Sequence, residues 1–386
     1  MSFDFQVFPP SPPNKAGNCD IPDIEEDVDT FDEDVASFLG ENKNKSTTYN
    51  TANCVSRLNR FLSTESKNQY KMTLFEFMEE KELDKLICDF FMNAKKLNGK
   101  GSTSDLYQPD TLNNFRNGWQ RHLVSLGKSF DLKSGSLFKR SQDVMKARRK
   151  QLTQMGLGNK PNATRPLDLT KINQLFSSGF FGASNPLALQ TTVWWKITDH
   201  FGLRARDESR KLKYGDLKLK KDTDGRNFLE WDKERGTKTR TGEKTYSHQR
   251  AFNPRAYETG GERCVVHLYK LFQQHRPEES KTTDSPFFLA MIPDDKIKSN
   301  FWYFNRPLGV NTIGKFMSNA GNLLSNDTNT SRSKISNHSA RKTAISTLLN
   351  KEVHPIHVSQ LSGHRQFEII PHSIFKTARK HVGPDQ

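Results

Sequence analysis

Near the C-terminal end of the chain, "NHSARKTAISTLL" carries His338 and, three residues later, Arg341; "LSGH" then ends on His364. Two imidazoles and a guanidinium are directed N–H donors, and together they suit an oxyanion, a phosphate above all. Ser336 or Asn337 is a good N-cap, so His338 and Arg341 are expected in the first turn of a helix, on one face. Asn350 suits the exit of that helix, Pro355 the first position of a short following one, and Gly363 a sharp turn that presents His364. A lone His-x-x-Arg is by itself only surface charge. Two further cations stand in places that give it company: Arg204 in "FGLRARDESRKL", at the end of an apolar helix, and Lys238 in "TKTRTG", in a turn where a lysine reaches outward.

The elements that must position these residues can be read from periodicity. Thr47 or Thr48 can cap a helix with Val55, Leu58, Phe61 and Leu62 on one face. Leu83, Leu86, Ile87, Phe90, Phe91 and Ala94, then Leu112, Phe115, Trp119, Leu123 and Leu126, mark two more amphipathic helices. "KRSQDVMKARRKQL" is a fourth, with few apolar positions and six cations: Lys139, Arg140, Lys146, Arg148, Arg149 and Lys150. Its cationic side is either a solvated face or a helix lying along phosphates. "MGLGNKPNATRP" has linker composition. The helix opening at Pro186 carries Leu187, Val193, Trp194 and Ile197; Trp194 and Trp195 read as core. Asp207 and Glu208 are placed either to orient Arg204 or merely to solvate their helix. "DLKLKKDTDGRNFLEW" alternates on both sides of Asp224-Gly225, a strong hairpin signal, and "YSHQRAF" reads as a returning strand. Helices resume beyond Cys264. His354 and His357 read as packing or solvent residues.

The 386 residues suffice for two or three domains. The net charge of +15 with only 33% apolar residues points to a polyanion-facing protein and away from a compact metabolic enzyme. Residues 1–45 hold eleven Asp and Glu against three Lys, a net of −8, which leaves +23 for the rest. That acidic, proline-containing segment is expected to be a disordered tail, with a protein partner as its possible use. The four cysteines form no C-x-x-C pair, so neither a disulfide framework nor a zinc ribbon is suggested, and a reducing compartment fits. No apolar run approaches the roughly 18 residues of a membrane span, and "MSFDFQVFPPSPP" lacks the features of a secretory signal.

In this order and with these local sequences, the chain resembles the tyrosine recombinase (phage integrase) superfamily, whose box around its first arginine reads G-L-R-x-x-E-L-x-x-L-x-x-x-D. "TKTRTGE", "RAFNPRAYETGGERCVVHLYKLFQQHRP", "SPFFLA", "RPLGVNTIGKFM", "NHSARKTAISTLL" and "LSGH" look like its Crypton-derived branch, similar to the C-terminal domain of zinc finger MYM-type and glutamine-rich proteins. The resemblance is specific from about Leu187 to His364. It implies an α+β, mainly helical tyrosine-recombinase catalytic fold with a small antiparallel sheet over 169–380. An all-helical, SAM-like core-binding module over 46–153 and a linker over 154–168 would precede it.

The resemblance also implies roles. Arg204 and Arg341 would grip the non-bridging oxygens of a scissile phosphate, and His338 would assist proton transfer. His364 would hydrogen-bond the phosphate, and Lys238 would protonate the departing 5′ oxygen, with Lys244 and Arg240 as alternatives. Neither a metal nor another cofactor is implied; double-stranded DNA is the partner, with a homo-oligomer on DNA and a nuclear location. The family's tyrosine nucleophile is missing. It is expected about nine residues beyond the Leu-x-Gly-His histidine, where the chain has "HRQFEIIPHSIFKTARK": Ser373 holds the ungapped position and Phe375 is the nearest aromatic. Three explanations stand: cleavage has been lost, a partner subunit donates the tyrosine, or this C-terminal sequence is aberrant.

Overall fold

A computed structural model describes residues 34–35, 37–65, 70, 74–96, 105–158, 164–204, 207–232, 252–325 and 335–363. It divides into two compact units, Met1–Lys160 and Pro161–Gln386, the division falling inside the expected 154–168 linker. Residues 37–41, inside the expected tail, form a helical turn whose side chains are all exposed.

The first unit is helical: α1 (Lys45–Glu65), α2 (Glu80–Asn93), α3 (Pro109–Ser125) and α4 (Lys139–Gln154). Helix α1 starts earlier than the threonines suggest, because the Asn44 side chain accepts from the Ser46 amide at 3.0 Å and caps it. Pro109 opens α3 at its first position, where a missing N–H costs nothing. Helix α1 packs on α3, and α2 and α3 both pack on α4. Phe90 is the hub of the core, with edge-on contacts to Phe61, Phe115 and Trp119 at centroid distances of 5.2, 5.4 and 5.0 Å. The Trp119 indole donates to the Cys54 carbonyl at 2.8 Å, which satisfies its one polar atom inside the core. Leu126, expected on the apolar face of α3, lies just past the helix end and is half exposed.

The second unit is mixed: α5 (Leu169–Ser177), α6 (Pro186–Phe201), α7 (Asp207–Lys211), β1 (Leu217–Lys221), β2 (Asn227–Trp231), β3 (Arg255–Tyr257), α8 (Val265–Gln274), β4 (Leu289–Met291), β5 (Tyr303–Pro307), α9 (Val310–Ser325), α10 (Asn337–Asn350) and α11 (Pro355–Ser362). Strands β1, β2 and β3 form an antiparallel sheet in that order, with the hairpin turn at Gly225 in the left-handed region (φ 78°). The returning strand expected at "YSHQRAF" lies almost wholly outside the described residues; the described third strand is β3. A second antiparallel pair, β4 with β5, has no counterpart in the expectations.

Helix α6 is the axis of this unit. Asn185 caps it by accepting from Ala188 N at 2.9 Å, and Pro186 holds its first position. It is buried around its circumference, Trp194 and Trp195 included, and packs on α8 and α10. Two of its buried polar side chains tie it to its neighbours: Gln190 meets both backbone groups of Leu289 at 3.0 Å, and the Trp194 indole donates to Ser209 Oγ at 2.9 Å. The α6 axis is thereby tied to β4 and to α7, so its C-terminal end, which leads directly into Arg204, has a fixed place.

Candidate phosphate-gripping site

Two helices end at the same point. Helix α6 stops at Gly202 and α11 at Gly363, each glycine in the left-handed conformation (φ 63° and 66°) that frees it from a β-carbon penalty. A β-carbon on Gly202 would lie 3.4 Å from the Leu361 carbonyl oxygen and 3.5 Å from Ser362 Cα, so the two ends are in direct contact. Helix C-termini present carbonyls with partial negative charge, and two of them pressed together need cations.

Arg341 and Arg204 are those cations. The Arg341 guanidinium, 7% exposed, donates from Nη1 to the Gly202 carbonyl and from Nη2 to the Ser362 carbonyl, clasping both helix ends. Arg204 Nη2 donates to the next carbonyl, that of Gly363, at 2.6 Å. The two guanidiniums therefore meet adjacent carbonyls of one turn. Glu208 holds Arg204 from the other side: its carboxylate accepts from the Arg204 backbone amide at 2.6 Å and from Nη1 at 3.5 Å. Of the two readings for this acidic pair, Glu208 is an orienting partner; the Asp207 side chain lies outside the described ones.

Helix α10 brings Arg341 into place through its N-terminus. Ser336 is the N-cap, and its amide donates to Ser339 Oγ at 3.2 Å. The buried Asn337 amide locks onto α9, donating to the Ile313 carbonyl at 2.6 Å and accepting from Met317 N at 3.0 Å. His338 is exposed on the first turn of α10, while Arg341 is buried one turn on. Thr164–Leu167 is strapped along the same helix. Lys342 Nζ donates to the Thr164 carbonyl at 2.7 Å, the hydroxyls of Thr164 and Ser336 are 3.1 Å apart, and Leu167 N donates to Thr343 Oγ1 at 2.8 Å. Burial in this strap lowers the Lys342 pKa below the usual lysine value. Nothing in the sequence signals those contacts, because the partners are far apart along the chain.

Of the five expected pocket residues, Arg204 and Arg341 are brought together, and His338 shares the helix of Arg341. Lys238, His364, Ser373 and Phe375 lie outside the described residues, as do Arg240 and Lys244. Pro355 and Gly363 take the places expected of them, at the start and end of α11, and the chain position of His364 directly follows the turn that both arginines hold. The His354 side chain caps α11 by accepting from Ile356 N at 3.3 Å. The six cations expected to bind DNA are all on α4, in the first unit: Lys139, Arg140, Lys146 and Lys150 are exposed, Arg148 and Arg149 half-buried.

Among the described residues, no helix is long and apolar enough to cross a membrane. Residues 169–320 match a family described as Domain of unknown function (DUF3504). Two curated relatives, the Uncharacterized protein KIAA1958 homolog of Mus musculus and the Uncharacterized protein KIAA1958 of Homo sapiens, are each 24% identical over 60% of this chain. The matched part spans about a third (32%) of those relatives' length. Similar solved structures include the Tn1549 transposon integrase in complex with transposon right end DNA, at 12% identity and TM-score 0.44, covering 88% of this chain and 93% of that one. Another is the XerH site-specific recombinase bound to palindromic difH substrate, at 14% identity and TM-score 0.46, covering 85% and 78%.

Proposed function

We propose that the chain is a duplex-DNA-binding protein of the tyrosine recombinase type, descended from a Crypton-like element and acting in the nucleus, with strand cleavage absent or impaired. The observation that carries this reading is the pair Arg204 and Arg341, held on adjacent carbonyls where α6 and α11 end. Two guanidiniums held at one turn put directed donors where a phosphate could take them, and the helix carbonyls keep the two like charges tolerable before an anion arrives. His338, exposed on the N-terminal turn of α10, adds a donor where the helix dipole already favours an anion. His364 and Lys238 would complete the pocket, and the surplus of +23 outside the acidic segment supplies the attraction to the DNA backbone.

A second reading, an active recombinase, draws on the presence of all five pocket residues. In it a tyrosine from another subunit attacks the phosphorus, the bond to the 5′ oxygen breaks, and Lys238 protonates that leaving oxygen. The two readings separate in one incubation of the full chain with a library of nicked, randomised duplexes, divided between a native and an SDS gel. A native shift without an adduct is the expected result. An SDS-resistant, protease-sensitive adduct overturns the loss of cleavage. Absence of any shift overturns DNA binding and leaves a nuclear interaction scaffold recruited through the acidic segment.

A further inference from the structure

The cations of α4 leave the helix on two different edges, and the edges are not equivalent. On the solvent edge, Asp143 stands between Lys139 and Lys146 at 3.1 and 3.5 Å, and the Lys139 hydrogen bond holds its carboxyl below the usual carboxylate range. That edge is largely compensated from within. Arg149 leaves on the edge facing α3, one turn from the buried Met145 and Leu152. From α3, one turn from the buried Leu112 and Trp119, Arg116 comes within electrostatic reach of Arg149.

These two guanidiniums are poorly answered. The Nε of each is buried and donates to no acceptor. Arg116 Nη2 donates to the neutral Asn113 Oδ1 at 2.9 Å, and Arg149 pairs loosely with Asp110, at 3.7 Å and 65% exposed. Asp131 lies within electrostatic reach of Arg116, yet its own oxygens accept from Ser134 Oγ and from the amides of Lys133 and Ser134. Burial first, then the charge of Arg149, lowers the Arg116 pKa, so both disfavour its charged form in the free protein. Two part-dehydrated guanidiniums on packed neighbouring helices, each with a buried Nε that donates to no acceptor, suit a phosphodiester.

We propose that the seam between α3 and α4 is a phosphate seat, in which Arg116 and Arg149 together take one backbone phosphate of duplex DNA, so that α4 meets DNA by this edge and not by the Lys139–Lys146 edge. The proposal rests on the reading of the chain as a duplex binder. It is tested on the full chain with a 30-base-pair duplex, comparing wild type, the pair Arg116→Gln with Arg149→Gln, and the pair Lys139→Gln with Lys146→Gln. The arginine pair is expected to lose about tenfold in affinity near physiological salt and to lower the salt slope by about one phosphate. The lysine pair is expected to change both by less. Without DNA, the arginine variant is expected to melt at or above the wild-type temperature, since a repulsion has been removed. A wild-type slope in the arginine variant overturns the seat, and so does a lowered melting temperature, which makes the pair a structural element. A wild-type chain that binds no duplex overturns the underlying reading instead.

Discussion

Two pairs of arginines, one in each unit, are housed in opposite ways. Arg204 and Arg341 sit on the carbonyls of two abutting helix ends and on Glu208, so the fold needs their charge. Arg116 and Arg149 face each other from adjacent helices, and among the described residues Arg116 donates to the neutral Asn113 while Asp110 stands 3.7 Å from Arg149, so the fold tolerates their charge at a cost. The difference teaches that two arginine pairs proposed for phosphates can be held in opposite ways by the fold. What distinguishes the two is whether the protein supplies the counter-charge, and the sign of a mutation's effect on stability reads that directly.

The largest expected effect is from Arg341→Ala, which strands two buried carbonyls and should destabilise by about 3 kcal/mol in chemical denaturation. A loss within error would mean that the helix ends do not depend on it. Gly202→Ala comes next, because its left-handed backbone and the Leu361 carbonyl 3.4 Å away both resist a β-carbon. About 1 kcal/mol should be lost, with Gly202→Asn losing less, since asparagine tolerates that conformation. Arg149→Gln should go the other way, raising stability by about a few tenths of a kcal/mol at low salt, with the gain fading as salt screens the repulsion. A drop in melting temperature would erase the contrast between the pairs.

The smallest effect concerns pH. Burial lowers the His200 pKa below its ordinary 6.5, although the neighbouring Asp199 pulls the other way. The unfolded chain therefore takes up this proton first as pH falls, so the contribution of His200 to stability should decline from pH 6.5 downward until its folded-state pKa is passed. His200→Asn should flatten that decline in a pH series of melting curves; an unchanged profile would assign the dependence elsewhere.

Local patterns made much of this legible. The Asp224-Gly225 turn, the tryptophan pair of α6, and Pro355 and Gly363 at the ends of α11 are each decided by residues within a turn of one another. Distance along the chain hid the rest. Helical spacing put His338 and Arg341 together on one face, but it could not show that Arg341 is buried, which Gly202 and Ser362, remote in sequence, decide by offering it carbonyls. Thr47 and Thr48 have the right chemistry for a cap, but Asn44 reaches the first free amide before them. Strand β4 is three residues long and its pairing with β5 is irregular, too short for alternation to show. Nothing in the local sequence singles out Arg116, whose partner in charge, Arg149, is on another helix.

The most direct test of the phosphate pocket is equilibrium binding of the full chain and of Arg204→Gln to a duplex between 50 and 200 mM salt. A clamp on roughly six to ten phosphates should lose about 10³- to 10⁵-fold in affinity over that range, and Arg204→Gln should lower the slope by about one phosphate. A wild-type chain that fails to bind duplex, or an Arg204→Gln variant with the full wild-type slope, would contradict the assignment of the arginine pair to a DNA phosphate.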